Sequence, residues 1–134
     1  MFDPWRMLRS MPQVTLLWVD LAEKSAVTNG VDTVWLDKHL LQVERRCSLT
    51  HELIHIERGY TSCQSASEEL SVRAETARRL IPFSALLEQK RWSRSTEEIA
   101  DCLWVTPRVL LDRIELLEPL EQMQFFVLDT EAAC

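Results

Sequence analysis

No apolar run in this chain approaches the roughly 18 to 20 residues that a bilayer crossing needs, so no membrane-spanning helix is expected. The first residues, MFDPWRMLRSMPQV, carry an early acid and a proline. They lack the basic-then-apolar layout of a secretory leader, which points to the cytoplasm. Cysteine is sparse, and Cys47, Cys63, Cys102 and Cys134 show no CxxC spacing. That argues against a zinc ribbon or a thioredoxin motif and for free thiols. Basic charge is not in excess: 15 Lys and Arg against 21 Asp and Glu leave a formal charge of −6. Such a balance repels a phosphate backbone and argues against nucleic acid as a partner. Low-complexity tracts and long internal repeats are also missing. What remains is a chain of 134 residues. This suits one domain able to bury roughly two thirds of its unfolded surface.

Two segments, VTLLWVD at 14–20 and VDTVWLD at 31–37, read as strands because they are rich in β-branched and aromatic residues. Asn29-Gly30 predicts a two-residue hairpin turn, with a short strand from Lys24 to Thr28 pairing back onto the second run. A small N-terminal antiparallel sheet is the expectation. From Val43 the apolar period becomes helical, and Gly59 is placed to terminate that helix in a left-handed conformation. Further helices are predicted from Ser65 to Ile81, ahead of Pro82, and from Ser84 to Trp92. The Ser95-Thr96-Glu97-Glu98 capping box opens another, Thr96 to Trp104. Thr106-Pro107 opens a last one, reaching Leu117. Strands followed by helices make an α+β plan.

The predicted helix after the strands contains HELIH, with His51, Glu52 and His55. Residues four apart share a helical face, with Cβ atoms roughly 5 to 6 Å apart, which lets two imidazoles grip one ion. Glu52 is turned about 100° from His51, within reach of a water on that ion. A zinc ion lowers such a water's pKa towards about 7, and Glu52 is the base to take its proton as it attacks a peptide carbonyl. Leu49, Leu53 and Ile56 project on the opposite side, so core face and ligand face are expected to separate. The plainer alternative is a surface helix with two solvated histidines. Cys47, one turn before His51, is a possible fourth ligand that would close the site.

A third ligand must come from elsewhere. His39 sits in the loop after the last strand, where a solvated role suits it. Downstream, Glu69 shares a face with Val72, Thr76 and Leu80, whereas Glu68 falls on a charged face with Glu75 and Arg79. A carboxylate aimed into a packed interior needs a partner, and a metal is a good one. Glu69 is therefore the expected ligand, with an ion pair to Arg73 at i+4 as the alternative.

HELIH followed by E-x-x-V-x-x-x-T-A-x-R-L-I-P, Glu69 to Pro82, resembles the ImmA/IrrE-type metallopeptidases, HExxH zincins, and in particular short forms from actinobacterial phages and prophages. The resemblance covers most of residues 14–82. It implies a small sheet packed on a helical zincin core, and zinc held by His51, His55 and Glu69. It also implies cleavage of a protein, often a helix-turn-helix repressor, in the cytoplasm of a bacterial host. Glu75 stands where that family usually has phenylalanine, and Arg73 where it commonly has asparagine or aspartate. The group that stabilises the oxyanion beside zinc is not evident, and Tyr60, the single tyrosine, could equally be structural.

Residues 96–117 have a helix-turn-helix layout. The second helix balances Arg108 and Arg113 with Asp112 and Glu115, and Leu103, Val109, Leu110, Ile114 and Leu117 make a packing seam. That charge balance argues against DNA, although a regulatory protein binding DNA or a repressor through this pair, with a structural or inactive zinc site, is the alternative. Arg78-Arg79 and Arg91-Trp92-Ser93-Arg94 are the other basic spots. One domain, 1–134, is expected, with the sheet and zinc helices in 14–82 and a helical part in 83–134.

Overall fold

The computed structural model describes residues 1–61, 65–93 and 95–133, and side chains as far as residue 128. Helix α1, Pro4–Arg9, is capped by Asp3, whose carboxylate accepts from the Trp5 amide while Pro4 takes the first turn. Strands β1 (Thr15–Val19), β2 (Ala26–Thr28) and β3 (Thr33–Asp37) follow. Six helices complete the described chain: α2 (Gln42–Arg58), α3 (Ala66–Leu80), α4 (Phe83–Trp92), α5 (Thr96–Leu103), α6 (Pro107–Glu115) and α7 (Pro119–Ala133). The α+β plan with an N-terminal sheet is thus present. No helix among the described residues is long and apolar enough to cross a membrane.

The sheet is mixed, not antiparallel. Its order is β1-β3-β2, with β2 antiparallel to β3 and β1 parallel to it. The chain reverses between β1 and β2, where Ala22 has φ +59°, and reverses again at the hairpin, so β3 runs in the direction of β1. It then lies between them. The hairpin also departs from a two-residue turn. Asn29 Oδ1 accepts from the amides of Val31, Asp32 and Thr33, which holds a wider loop between Thr28 and Val34. Gly30, at φ +74°, lies against the segment after α2: a Cβ there would be 1.8 Å from the Tyr60 carbonyl oxygen.

Two cores meet on α2. On one side Val34 and Leu36 of β3 pack with Leu49, Leu53 and Ile56. On the other, Cys47 joins a helical core that includes Leu80, Leu86, Leu103, Leu110 and Phe125. Ile54 is fully buried as well, so α2 is covered on more than the one face its apolar spacing predicts. Arg46, 5% exposed, donates to the carbonyls of Trp104 (2.7 Å) and Phe2 (3.1 Å). Trp104 closes α5 in the left-handed region at φ +57°, and that hydrogen bond holds the turn against α2.

Helix α5 opens on half of the expected box, Ser95 Oγ accepting from the Glu98 amide while the Glu98 carboxylate accepts from Ser93 Oγ instead, and α6 opens on Thr106 accepting from the Val109 amide. Leu103, Val109, Leu110 and Leu117 are buried as a seam, with Ile114 packed against it. Asp112 and Arg113, expected on an exposed face, are instead 5% and 4% exposed. Each spans two helices, as described below for Asp112. Helices α1 and α7 have no counterpart in the sequence reading.

Candidate metal centre

Both ligand-bearing helices are set by local chemistry. The last turn of α2 closes on Gly59 at φ +70°, where the Tyr60 amide donates to the His55 carbonyl (3.1 Å) and the Gly59 amide to Ile56 (3.0 Å). The second histidine therefore sits on a helix end with satisfied carbonyls. At the start of α3, Ser65 and Glu68 cap each other: Ser65 Oγ accepts from the Glu68 amide, and Glu68 Oε2 accepts from the Ser65 amide (2.9 Å). Glu68 is thereby occupied, and Glu69, one position on, faces α2.

There His51 Nε2 lies 2.8 Å from Glu69 Oε1, His55 Nε2 lies 3.2 Å from Glu69 Oε2, and the two Nε2 atoms are 3.1 Å apart. A tetrahedral ion with bonds near 2.0 to 2.1 Å spaces its ligand atoms by about 3.3 Å. The observed separations are close to that, slightly contracted, with Glu69 turning one oxygen to each imidazole. Protons alone satisfy it poorly. If each imidazole donates from Nε2 to its carboxylate oxygen, the two N–H groups confront each other at 3.1 Å. A cation between the two imidazoles and the carboxylate removes that conflict, because every facing atom then presents a lone pair. Burial holds the His51 pKa below its usual value against the opposing pull of Glu69, with His55 adding to the lowering, which favours the neutral ring a metal requires. Two nitrogens and one carboxylate suit zinc among divalent ions.

Cys47 does not belong to the group of donor atoms within 4.8 Å of one another, which holds His51, His55 and Glu69. Burial raises its thiol pKa, as befits a core residue. Cys63 and Cys134 lie outside the described residues, and Cys102 is a free, exposed thiol. Tyr60 meets His55 edge-on, ring centroids 6.1 Å apart. His55 is 7% exposed, buried rather than on a free ligand face, while Glu69 sits at the open end of the buried Val72–Thr76–Leu80 stripe.

Beside the triad opens a cleft of about 600 Å³, with His51 and Glu52 in its wall. Burial pushes the Glu52 carboxyl up to about 7, the Glu69 charge adds to this, and Lys24 draws it back. A carboxyl balanced near neutrality can both take and return a proton.

Three further cleft residues, Arg73, Arg108 and Asp112, escaped the sequence reading as a group. Arg73 does not pair with Glu69; it reaches across to Asp112 on α6, through Nε to Oδ2 at 3.1 Å and Nη2 to Oδ1. Arg108 bonds the same Oδ1, with Nη2 at 2.6 Å. Spacing alone signals only the Arg108–Asp112 half, at i+4. The other basic residues singled out in the sequence are ion-paired too: Arg78 with Glu75, Arg79 with Glu57 and Glu75, Arg91 with Glu88, and Arg113 with Glu121. Arg94 lies outside the described residues. Comparison with protein-family models, with curated proteins and with solved structures gives no match to this chain.

Proposed function

We propose that the protein is a zinc-dependent metalloendopeptidase of the ImmA/IrrE type, acting on a protein substrate of the repressor class. His51, His55 and Glu69 hold the ion in this reading, and Glu52 is its general base and proton donor. The observation that carries it is the meeting of two imidazole nitrogens from α2 with the carboxylate oxygens of Glu69 from α3 at 2.8 to 3.2 Å, with the half-buried carboxyl of Glu52 lining the adjoining cleft.

Zinc bound there supplies a Lewis acid that acidifies water and polarises a carbonyl. The chain's own residues do the rest. Glu52 takes a proton from the attacking water as its oxygen bonds to the carbonyl carbon. The same carboxyl then delivers that proton to the amide nitrogen as the C–N bond breaks, leaving an acid and an amine. Ser25 and Ala26, at the start of the edge strand β2, line the cleft, and an edge strand is a natural rail for an extended peptide. Substitution Glu52→Gln, assayed on a proteome-derived peptide mixture, is expected to retain zinc and to cut roughly 10²- to 10⁴-fold more slowly. Undiminished cleavage by that variant contradicts the assignment.

A further inference from the structure

We propose that the α3–α6 wall of the cleft is a carboxylate-recognition subsite, in which Arg73, backed by Arg108 and anchored by Asp112, receives a carboxylate of the bound chain. This deepens the peptidase reading by giving its substrate a chemical class, and it rests on that reading for the identity of the ligand.

Charge is the first argument. Two guanidiniums share one buried carboxylate, Asp112, whose side chain is 7% exposed. A clip joining α3 to α6 needs only one of them, so this wall carries two guanidiniums to one carboxylate, while Glu23, Lys24 and Glu44 line other parts of the cleft. Glu115 approaches Arg108 only to 3.6 Å and is 61% exposed, where water screens it.

Geometry is the second. Arg73 stands one helical turn beyond Glu69 and lines the cleft together with His51 and Glu52. Its natural helical partner is already engaged, since both oxygens of Glu69 face the histidines. Asp112 uses the Nε and Nη2 of Arg73, and Nη1 has no hydrogen-bond partner among the described residues. A third of the side chain, 34%, remains open to solvent. A guanidinium fixed on one edge and free on another is preorganised for planar, two-point binding of a carboxylate. Asp112 and Arg108 are positioning residues in this arrangement.

The test uses the full chain loaded with zinc and carrying Glu52→Gln, so that binding is read without turnover. Short peptides are presented in matched pairs, Glu exchanged for Gln at each position in turn, and every peptide is made with a free and with an amidated C-terminus. The carboxylate form is expected to bind roughly 10- to 100-fold more tightly than its neutral match. Adding Arg73→Gln should reduce that ratio to about threefold or less with zinc content unchanged, and Arg73→Lys, which keeps the charge but not the fork, should fall between. A preference that follows Glu assigns the subsite to an acidic side chain; one that follows the free terminus assigns it to the chain end. Equal binding of charged and neutral partners, or a preference untouched in both Arg73 variants, overturns the proposal. If wild-type protein cuts nothing while the Arg73-dependent preference persists, the peptidase reading fails and the subsite stands. Cleavage indifferent to charge, alongside charge-blind binding, sinks the subsite alone.

Discussion

Among the described residues, two clusters of histidine and carboxylate have donor atoms within 4.8 Å of one another, and they differ in how they are built. Asp20, Asp37 and His39 meet at the end of the sheet. There His39 Nε2 is 3.8 Å from Asp20, and both side chains are more than 60% exposed. Their carboxylates also serve local turns: Asp20 accepts from the Ala22 amide and Asp37 from the His39 amide. His51, His55 and Glu69 instead project from two long helices, with both imidazoles largely buried and their nitrogens turned on one point. The difference is support. Water and neighbouring amides compete for the first set, whereas packing holds the second set together before any ion arrives, and preorganisation of that kind is what gives a site its affinity.

The sharpest way to break this contrast is to remove one histidine from each cluster. His55→Ala should weaken zinc binding by at least roughly 100-fold, while His39→Ala should leave it within about twofold, as read by competition with a chromophoric chelator. Comparable losses in both would erase the distinction.

Support can be probed away from the ligands. Arg46→Ala removes hydrogen bonds to Trp104 and Phe2 from the buried side of α2, and should cost about 2 kcal/mol, a fall in Tm of roughly 8 °C in calorimetry. Asp37→Ala, at the exposed cluster, should cost less than about 0.5 kcal/mol.

A smaller effect concerns protons. The Glu52 pKa is raised, so its carboxyl contributes less to the metal-free fold as pH climbs from 4.5 through about 7. At pH 7 it is about half protonated, and a divalent cation beside it favours the carboxylate. Zinc loading should therefore release about half a proton from Glu52, measured by titration calorimetry in buffers of different ionisation enthalpy. Glu52→Gln should abolish that share, and unchanged release would reassign the proton.

Much of this was legible locally. The ends of α2 and α3 are written in Gly59 and in the Ser65–Glu68 box, and helical phase alone separates Glu69 from Glu68. What was not legible is non-local. The parallel pairing of β1 with β3 depends on how two reversals combine, and a hairpin signal reports only the second of them. Arg73 meets Asp112 across 39 residues, a contact that no spacing rule announces. Six residues in α1 are too few to show a period, and in α7 apolar residues such as Leu120, Met123, Phe125 and Phe126 fall on no single face.

Metal analysis of the purified protein, beside Glu69→Ala and Glu68→Ala, tests the central claim most directly. Wild type and Glu68→Ala should each hold one zinc per chain, and Glu69→Ala should lose it. Zinc retained by Glu69→Ala but lost from Glu68→Ala, or a wild-type chain that takes up none, would contradict the account.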